Sequence, residues 1–269
     1  MTAATDASLE VLLRGLKLPG FVAHHDDLAI RAQRDGWSFG RYLHGLAQLE
    51  YQERRERRGL RLLRQSGLPE DKRLAVLDRT KLPTAVQRQL AVLCEGGFVE
   101  RGENLLLFGL PGRGKTHVAC AIGHELVLKG YAVLFVAAHA LVQRLLLAKR
   151  ELALERALKN LDGFDTVIVD DIGYVQQNRD EMEVLFTFLA ERYERKTVVI
   201  TSNLVFSQWD KIFKDPMTTA AAIDRIVHHA TILELDGPSF RSEAAKRRAG
   251  NRKNGTETAE ESVTHTGQK

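Results

Sequence analysis

Two cysteines, Cys94 and Cys120, are all that the 269 residues contain. They are too few and too featureless for a disulfide framework or a structural zinc site. Cys120 falls inside a helix pattern and reads as packed, and the composition suits a reduced, cytoplasmic setting. No apolar run approaches the roughly 20 residues of a membrane span. The first residues lack the basic segment and apolar stretch of a signal peptide, so neither insertion nor export is expected. No internal repeat is visible. Strong charge is missing too: Lys and Arg number 39 against 35 Asp and Glu, a net +4. So mild an excess says less than the way basic residues cluster. Apolar residues, by contrast, make up 44% of the chain, enough for one large domain or a core domain with small additions.

The organising stretch is Gly109-Leu110-Pro111-Gly112-Arg113-Gly114-Lys115-Thr116, which fits the phosphate-binding pattern G-x-x-x-x-G-K-[ST]. An apolar run, Asn104 to Phe108, precedes it as a strand, and a helix pattern from His117 to Lys129 follows. Successive backbone N–H groups can point at one anion only along a path free of Cβ clashes, hence the glycines. The helix start adds unpaired N–H groups and the positive end of its dipole. Lys115 would reach the β- and γ-phosphates of ATP, and the Thr116 hydroxyl would ligate Mg²⁺.

Upstream, residues 1–68 read as a small helical module. Leu9, Leu12, Leu13 and Leu16 have helical spacing, Leu18-Pro19-Gly20 breaks the chain, and a longer helix starts near Ser38. Arg54, Arg57, Arg58 and Arg61 place four guanidiniums on one stripe of that helix. The stripe is either a solvated face laced by Glu50–Arg54 and Glu53–Arg57 pairs or a line of phosphate contacts along DNA. Residues 67–103 join this module to the rest of the chain, and from Asn104 onward β and α signals alternate. Strands are expected at Leu105–Phe108, Tyr131–Val136, Thr166–Val169, Thr197–Thr201 and Thr231–Leu235. That alternation predicts an α/β fold, a five-stranded parallel sheet with helices on both faces. The helical stretch from Ala138 to Leu161 exceeds a single crossover, yet no Gly or Pro says where it breaks; its Arg144, Lys149 and Arg150 face either solvent or DNA. Residues 241–269 are polar, without apolar period, and read as a disordered tail.

Three further constellations carry chemistry. Thr166-Val167-Ile168-Val169 runs into Asp170-Asp171: Asp170 would hold Mg²⁺ and Asp171 would orient or deprotonate the attacking water. Asn203 ends the next strand, placed to sense the γ-phosphate and position water. Arg225, in the helix before the last strand, could reach a nucleotide held by a neighbouring copy and stabilise charge in the transition state. His228 and His229 follow; adjacent helical residues point to different faces, so packing is expected of them rather than metal binding.

With these pieces in place the chain resembles the IstB-like ATPases, transposition helpers of bacterial insertion sequences grouped with the DnaC-type helicase loaders in the AAA+ superfamily. The matching residues are Gly109 to His117, Val169 to Tyr174, Thr201-Ser202-Asn203, Phe206 to Trp209 with Ile212 to Asp215, and Asp224 to His229. The resemblance implies a P-loop ATPase core at residues 69–240, behind an N-terminal DNA- or partner-binding module. It also implies ATP and Mg²⁺ as ligands, ATP-dependent assembly of copies on double-stranded DNA with an arginine supplied in trans, and a cognate transposase as partner. Lys115, Thr116, Asp170, Asp171, Asn203 and Arg225 take the roles given above, with Gly109 to His117 lining the nucleotide. Two departures stand out. Asp171 occupies a position where many AAA+ members have Glu, which implies slower hydrolysis. The helical lid that often supplies a second sensor arginine finds no room, and Arg241 near that position is assigned no role. A replicative helicase loader and a P-loop small-molecule kinase stay open as alternatives; turnover that responds to DNA rather than to an acceptor would separate hydrolase from kinase.

Overall fold

The computed structural model describes residues 3–174, 179–209, 212 and 216–236. The described residues fall into two compact units that divide after Leu62.

The first unit is built from α1 (Ala3–Gly15), α2 (Pro19–Arg34) and the greater part of α3 (Phe39–Ser66). Leu13, Ala32 and Leu46 are buried in it, together with one carboxylate, Glu50. Glu50 accepts from the Gly20 N–H at 2.7 Å and from the Arg54 guanidinium at 2.7 and 3.1 Å. Burial alone would push that carboxyl up, but these donors and the nearby Arg57 hold it below its usual range. Arg54 also donates to the Lys17 carbonyl at 2.7 Å, so α2, α3 and the end of α1 meet on one side-chain pair.

The second unit opens with α4 (Thr84–Glu95) and α5 (Gly97–Glu100). It then alternates β1 (Asn104–Phe108), α6 (Lys115–Leu128), β2 (Val133–Ala137), α7 (Ala138–Arg150), α8 (Leu154–Asp162), β3 (Thr166–Asp170), α9 (Arg179–Arg192), β4 (Thr197–Ser202), α10 (Pro216–Val227) and β5 (Ala230–Glu234). The five strands pair in parallel in the order β2-β3-β4-β1-β5. Each expected strand is present within two residues at either end.

Both faces of the sheet are covered, which is why its central strands read as unbroken apolar runs. Leu106, Phe108, Val167, Val169, Val198 and Ile200 join Leu141, Leu145, Val184, Phe188 and Ile226 of α7, α9 and α10 in one core. Ile168 faces the other way, against α6. Each buried Leu, Ile, Val or Phe contributes about 1.5–3 kcal/mol. The helical stretch whose break the sequence does not locate divides at Glu151–Ala153, where Leu152 takes a left-handed φ of 56° and stands 97% exposed. Among the described residues no helix is long and apolar enough to cross a membrane.

Arg192 closes the edge opposite the strand ends that carry the candidate site. It is 2% exposed and donates to the carbonyls of Leu161, Phe164, Asp165 and Thr197 at 3.0–3.3 Å. Burial pushes its guanidinium down to about 10, against the pull of Asp162 and Asp165. Arg192→Met would strand four carbonyls in the interior, and a loss of about 3 kcal/mol is expected. Thermal unfolding should register a melting temperature lower by roughly 6–12 °C; an unchanged melt would show that the carbonyls find other donors.

Candidate active site

Parallel strands end at one edge, and the order β3-β4-β1 sets three strand exits side by side there, the edge at which open α/β sheets bind ligands. From β1 the chain turns through Gly109, Gly112 and Gly114, at φ 150°, 81° and 88°. A Cβ on Gly109 would stand 2.6 Å from the Leu235 carbonyl oxygen, so no side chain fits. Leu110 and Pro111 are exposed; Arg113, Thr116 and His117 are half-buried. Lys115, 5% exposed, begins α6 and donates Nζ to the carbonyls of Gly109 at 2.6 Å and Leu110 at 3.1 Å. The ammonium is thus folded over the loop itself. Burial lowers the His117 imidazole below its ordinary range, while its 3.4 Å contact with the Arg73 carbonyl pulls the other way.

One hydroxyl joins the Asp170 carboxylate to the backbone of Asp171. Thr201, on β4, donates to Asp170 Oδ1 at 2.6 Å and accepts from the Asp171 N–H at 2.8 Å. Asp171 takes a left-handed φ of 57°, a conformation uncommon outside glycine that often marks a functional position. The Asp170 charge reaches Cys120 on α6, whose thiol is pushed up to about 12, chiefly by burial.

Asn203 leaves β4 with its Oδ1 buried and without a hydrogen-bond partner, a condition that costs about 1–3 kcal/mol. Its surroundings hold it there. Ser202 Oγ donates to the Leu204 carbonyl at 2.8 Å and accepts the Leu204 N–H at 3.0 Å. Trp209, fully buried against Phe108 and Phe206, donates Nε1 to the same carbonyl at 3.1 Å. Any Cβ on Gly173 would collide with Asn203 Oδ1. An anion-seeking loop, a hydroxyl-fixed carboxylate and an unpaired amide oxygen therefore share one edge. A Thr hydroxyl and an Asp carboxylate are hard oxygen donors, a set that suits Mg²⁺.

Arg225 lies on α10 with its guanidinium 4.6 Å over the Phe186 ring of α9, and its buried Nη1 has no hydrogen-bond partner. Among the residues considered for DNA, Arg54 and Arg57 lie against Glu50 and Glu53, and Lys149 binds Asp180 at 3.1 Å and Glu183 at 2.9 Å. Arg58, Arg61, Arg144 and Arg150 are exposed. Phe213 to Asp215 and residues 237–269, Arg241 included, lie outside the described residues.

Sequence reasoning assigned no role to Thr201 or Gly173. A polar residue at a buried strand end was the available signal for the first, and a glycine after the acidic pair for the second. It also misjudged His228 and His229. The helix stops at Val227, so both occupy the turn before β5, and their ring centroids are 4.2 Å apart.

A family profile described as IstB-like ATP binding protein matches residues 11–249. An insertion-sequence protein of Sinorhizobium fredii named for ATP binding is 41% identical over 241 residues, covering 89% of this chain and 81% of its own. A Pseudomonas aeruginosa protein named for the insertion sequence IS21 and for ATP binding is 35% identical over 260 residues, 97% of this chain and 98% of its own. The solved structure of the DnaC helicase loader superposes with a TM-score of 0.50 at 20% identity, over 56% of this chain and 89% of that one, a likeness of fold alone. With the glycine loop, the five-stranded parallel sheet and a profile match along most of its length, the chain belongs to the IstB-like ATP-binding protein family and has an α/β fold of the P-loop NTPase kind.

Proposed function

We propose that this chain binds ATP with Mg²⁺, assembles with copies of itself on double-stranded DNA, hydrolyses the ATP, and assists a transposase in moving an insertion sequence. The observation that carries the reading is the buried, unpartnered Asn203 carbonyl beside the Asp170–Thr201–Asp171 arrangement. A buried acceptor left open is costly, and a water held against the γ-phosphate would satisfy it. Lys115 would exchange the loop carbonyls for phosphate oxygens, a charge-assisted and therefore stronger pairing. Thr116 and Asp170 would hold Mg²⁺, which when bound offsets charge on the phosphates. Asp171 would take the proton of the attacking water. Arg225, with an unsatisfied buried N–H in the single chain, would find its acceptor on a neighbour's nucleotide.

DNA contact would rest first on Arg61, Arg144 and Arg150, because Arg54, Arg57 and Lys149 must leave carboxylates to reach phosphate. The relatives' insertion-sequence names support a transposition helper over a helicase loader.

The test is Lys115→Ala. It should weaken ATP binding about 10–100-fold by calorimetry. It should also remove the ATP-dependent part of duplex DNA retention, and with it any stimulation of strand transfer by the element's transposase. Wild-type retention should fall steeply with salt as released counterions reassociate. Wild-type ATP affinity in the variant, or DNA retention indifferent to ATP and salt, would contradict the reading.

A further inference from the structure

We infer that Glu194, His228 and His229 form a binding site for a zinc-class divalent ion, on the edge of the sheet away from the glycine loop. Glu194 lies in the connection from α9 to β4, and the two histidines in the turn from α10 to β5. One oxygen, Glu194 Oε1, stands 3.5 Å from His228 Nδ1 and 3.6 Å from His229 Nε2. A ligand atom from each of the three lies within 4.8 Å of the other two. A tetrahedral ion with ligands at about 2.0–2.1 Å sets its donors roughly 3.3–3.4 Å apart. The two observed separations are therefore close to coordination spacing before any ion enters. Two imidazoles and one carboxylate are the donor set of a borderline ion such as Zn²⁺, not of Mg²⁺. All three side chains are exposed, so water completes the coordination.

The turns are held in place from within. Asn104, 9% exposed at the start of β1, donates its backbone N–H to the His229 carbonyl at 2.7 Å and its side-chain amide to the Ile226 carbonyl at 3.0 Å. Its Oδ1 accepts the Val198 N–H at 3.0 Å. One residue thus fixes the end of α10 to the beginning of β4, and with them the backbones that carry the ligands. Glu194 itself holds a left-handed φ of 55°. The Tyr193 hydroxyl lies 2.8 Å from His228 Nδ1 and also bonds the Glu194 carboxylate. On binding, the ion takes Nδ1 and the hydroxyl keeps the carboxylate as an outer partner. A bound ion would clamp the base of α10, the helix that carries Arg225, to the base of β4. The site does not depend on the nucleotide reading, since it uses none of those residues.

The full chain, freed of any affinity tag and treated with chelator, is titrated calorimetrically with zinc chloride without nucleotide or magnesium, and melted with and without zinc. One equivalent should bind and raise the melting temperature. Each of His228→Ala, His229→Ala and Glu194→Gln should weaken binding by at least about ten-fold and erase the thermal shift. Cobalt(II) in place of zinc should give the visible bands of a low-coordinate site. Should a histidine variant disturb the turn, Glu194→Gln, in a different connection, still decides the matter. Absence of the equivalent, or uptake with wild-type affinity in all three variants, overturns the site.

Discussion

Arg225→Ala should lower ATP turnover by about 10³–10⁵-fold while leaving ATP affinity close to wild type. The expectation follows from where the guanidinium is found. It is stacked 4.6 Å over Phe186 with a buried N–H that has no acceptor. A cation in that condition is kept at a cost of about 1–3 kcal/mol unless another molecule completes it. If it contributes only where charge builds on a transferring phosphoryl group, its loss reaches the rate and spares the binding step. Single-turnover hydrolysis and equilibrium ATP binding, measured side by side, distinguish this from a packing defect. A packing defect would lower both, and would appear in the melt as loss of the α9–α10 contact.

Asp171→Asn has the second large effect. Turnover should fall about 10²–10⁴-fold, the range of a positioned general base, with ATP-dependent DNA retention intact. Asparagine is among the few residues that tolerate a left-handed backbone, so the φ of 57° should survive the substitution, and the backbone N–H still reaches Thr201. The variant therefore removes the base and leaves the frame. If it turns over like the wild type, Asp171 is not the base. If it assembles on DNA like the wild type but no longer releases it, hydrolysis serves release rather than assembly.

Much of the second unit was legible in sequence because its signals are local. A strand buried on both faces is an apolar run, and a glycine loop between strand and helix can be read within a dozen residues. The order β2-β3-β4-β1-β5 was not legible, since no local signal tells β1 to lie between β4 and β5. Nor was the break after α7, where Leu152 takes a left-handed conformation without glycine to announce it. The ion pairs of Lys149 were not legible, because its partners, Asp180 and Glu183, are on another helix. The Arg54 and Arg57 pairings follow helical spacing, and the solvated-face alternative had named them. The role of Thr201 needed the sheet: only when β4 lies against β3 does one hydroxyl reach both Asp170 and the Asp171 N–H. His228 and His229 were misjudged for a smaller reason, a helix end placed two residues too late.

The central claim is that one pocket is completed by two copies of the chain. The most direct measurement mixes two inactive variants, Lys115→Ala and Arg225→Ala, on duplex DNA with ATP and Mg²⁺, and follows phosphate release. Random pairing sets an intact pocket against an intact arginine at roughly a quarter of interfaces. The mixture should therefore recover a substantial share of wild-type turnover that neither variant shows alone. A mixture as inactive as its components, at concentrations where the wild type assembles, would mean that Arg225 does not act on a neighbour's nucleotide.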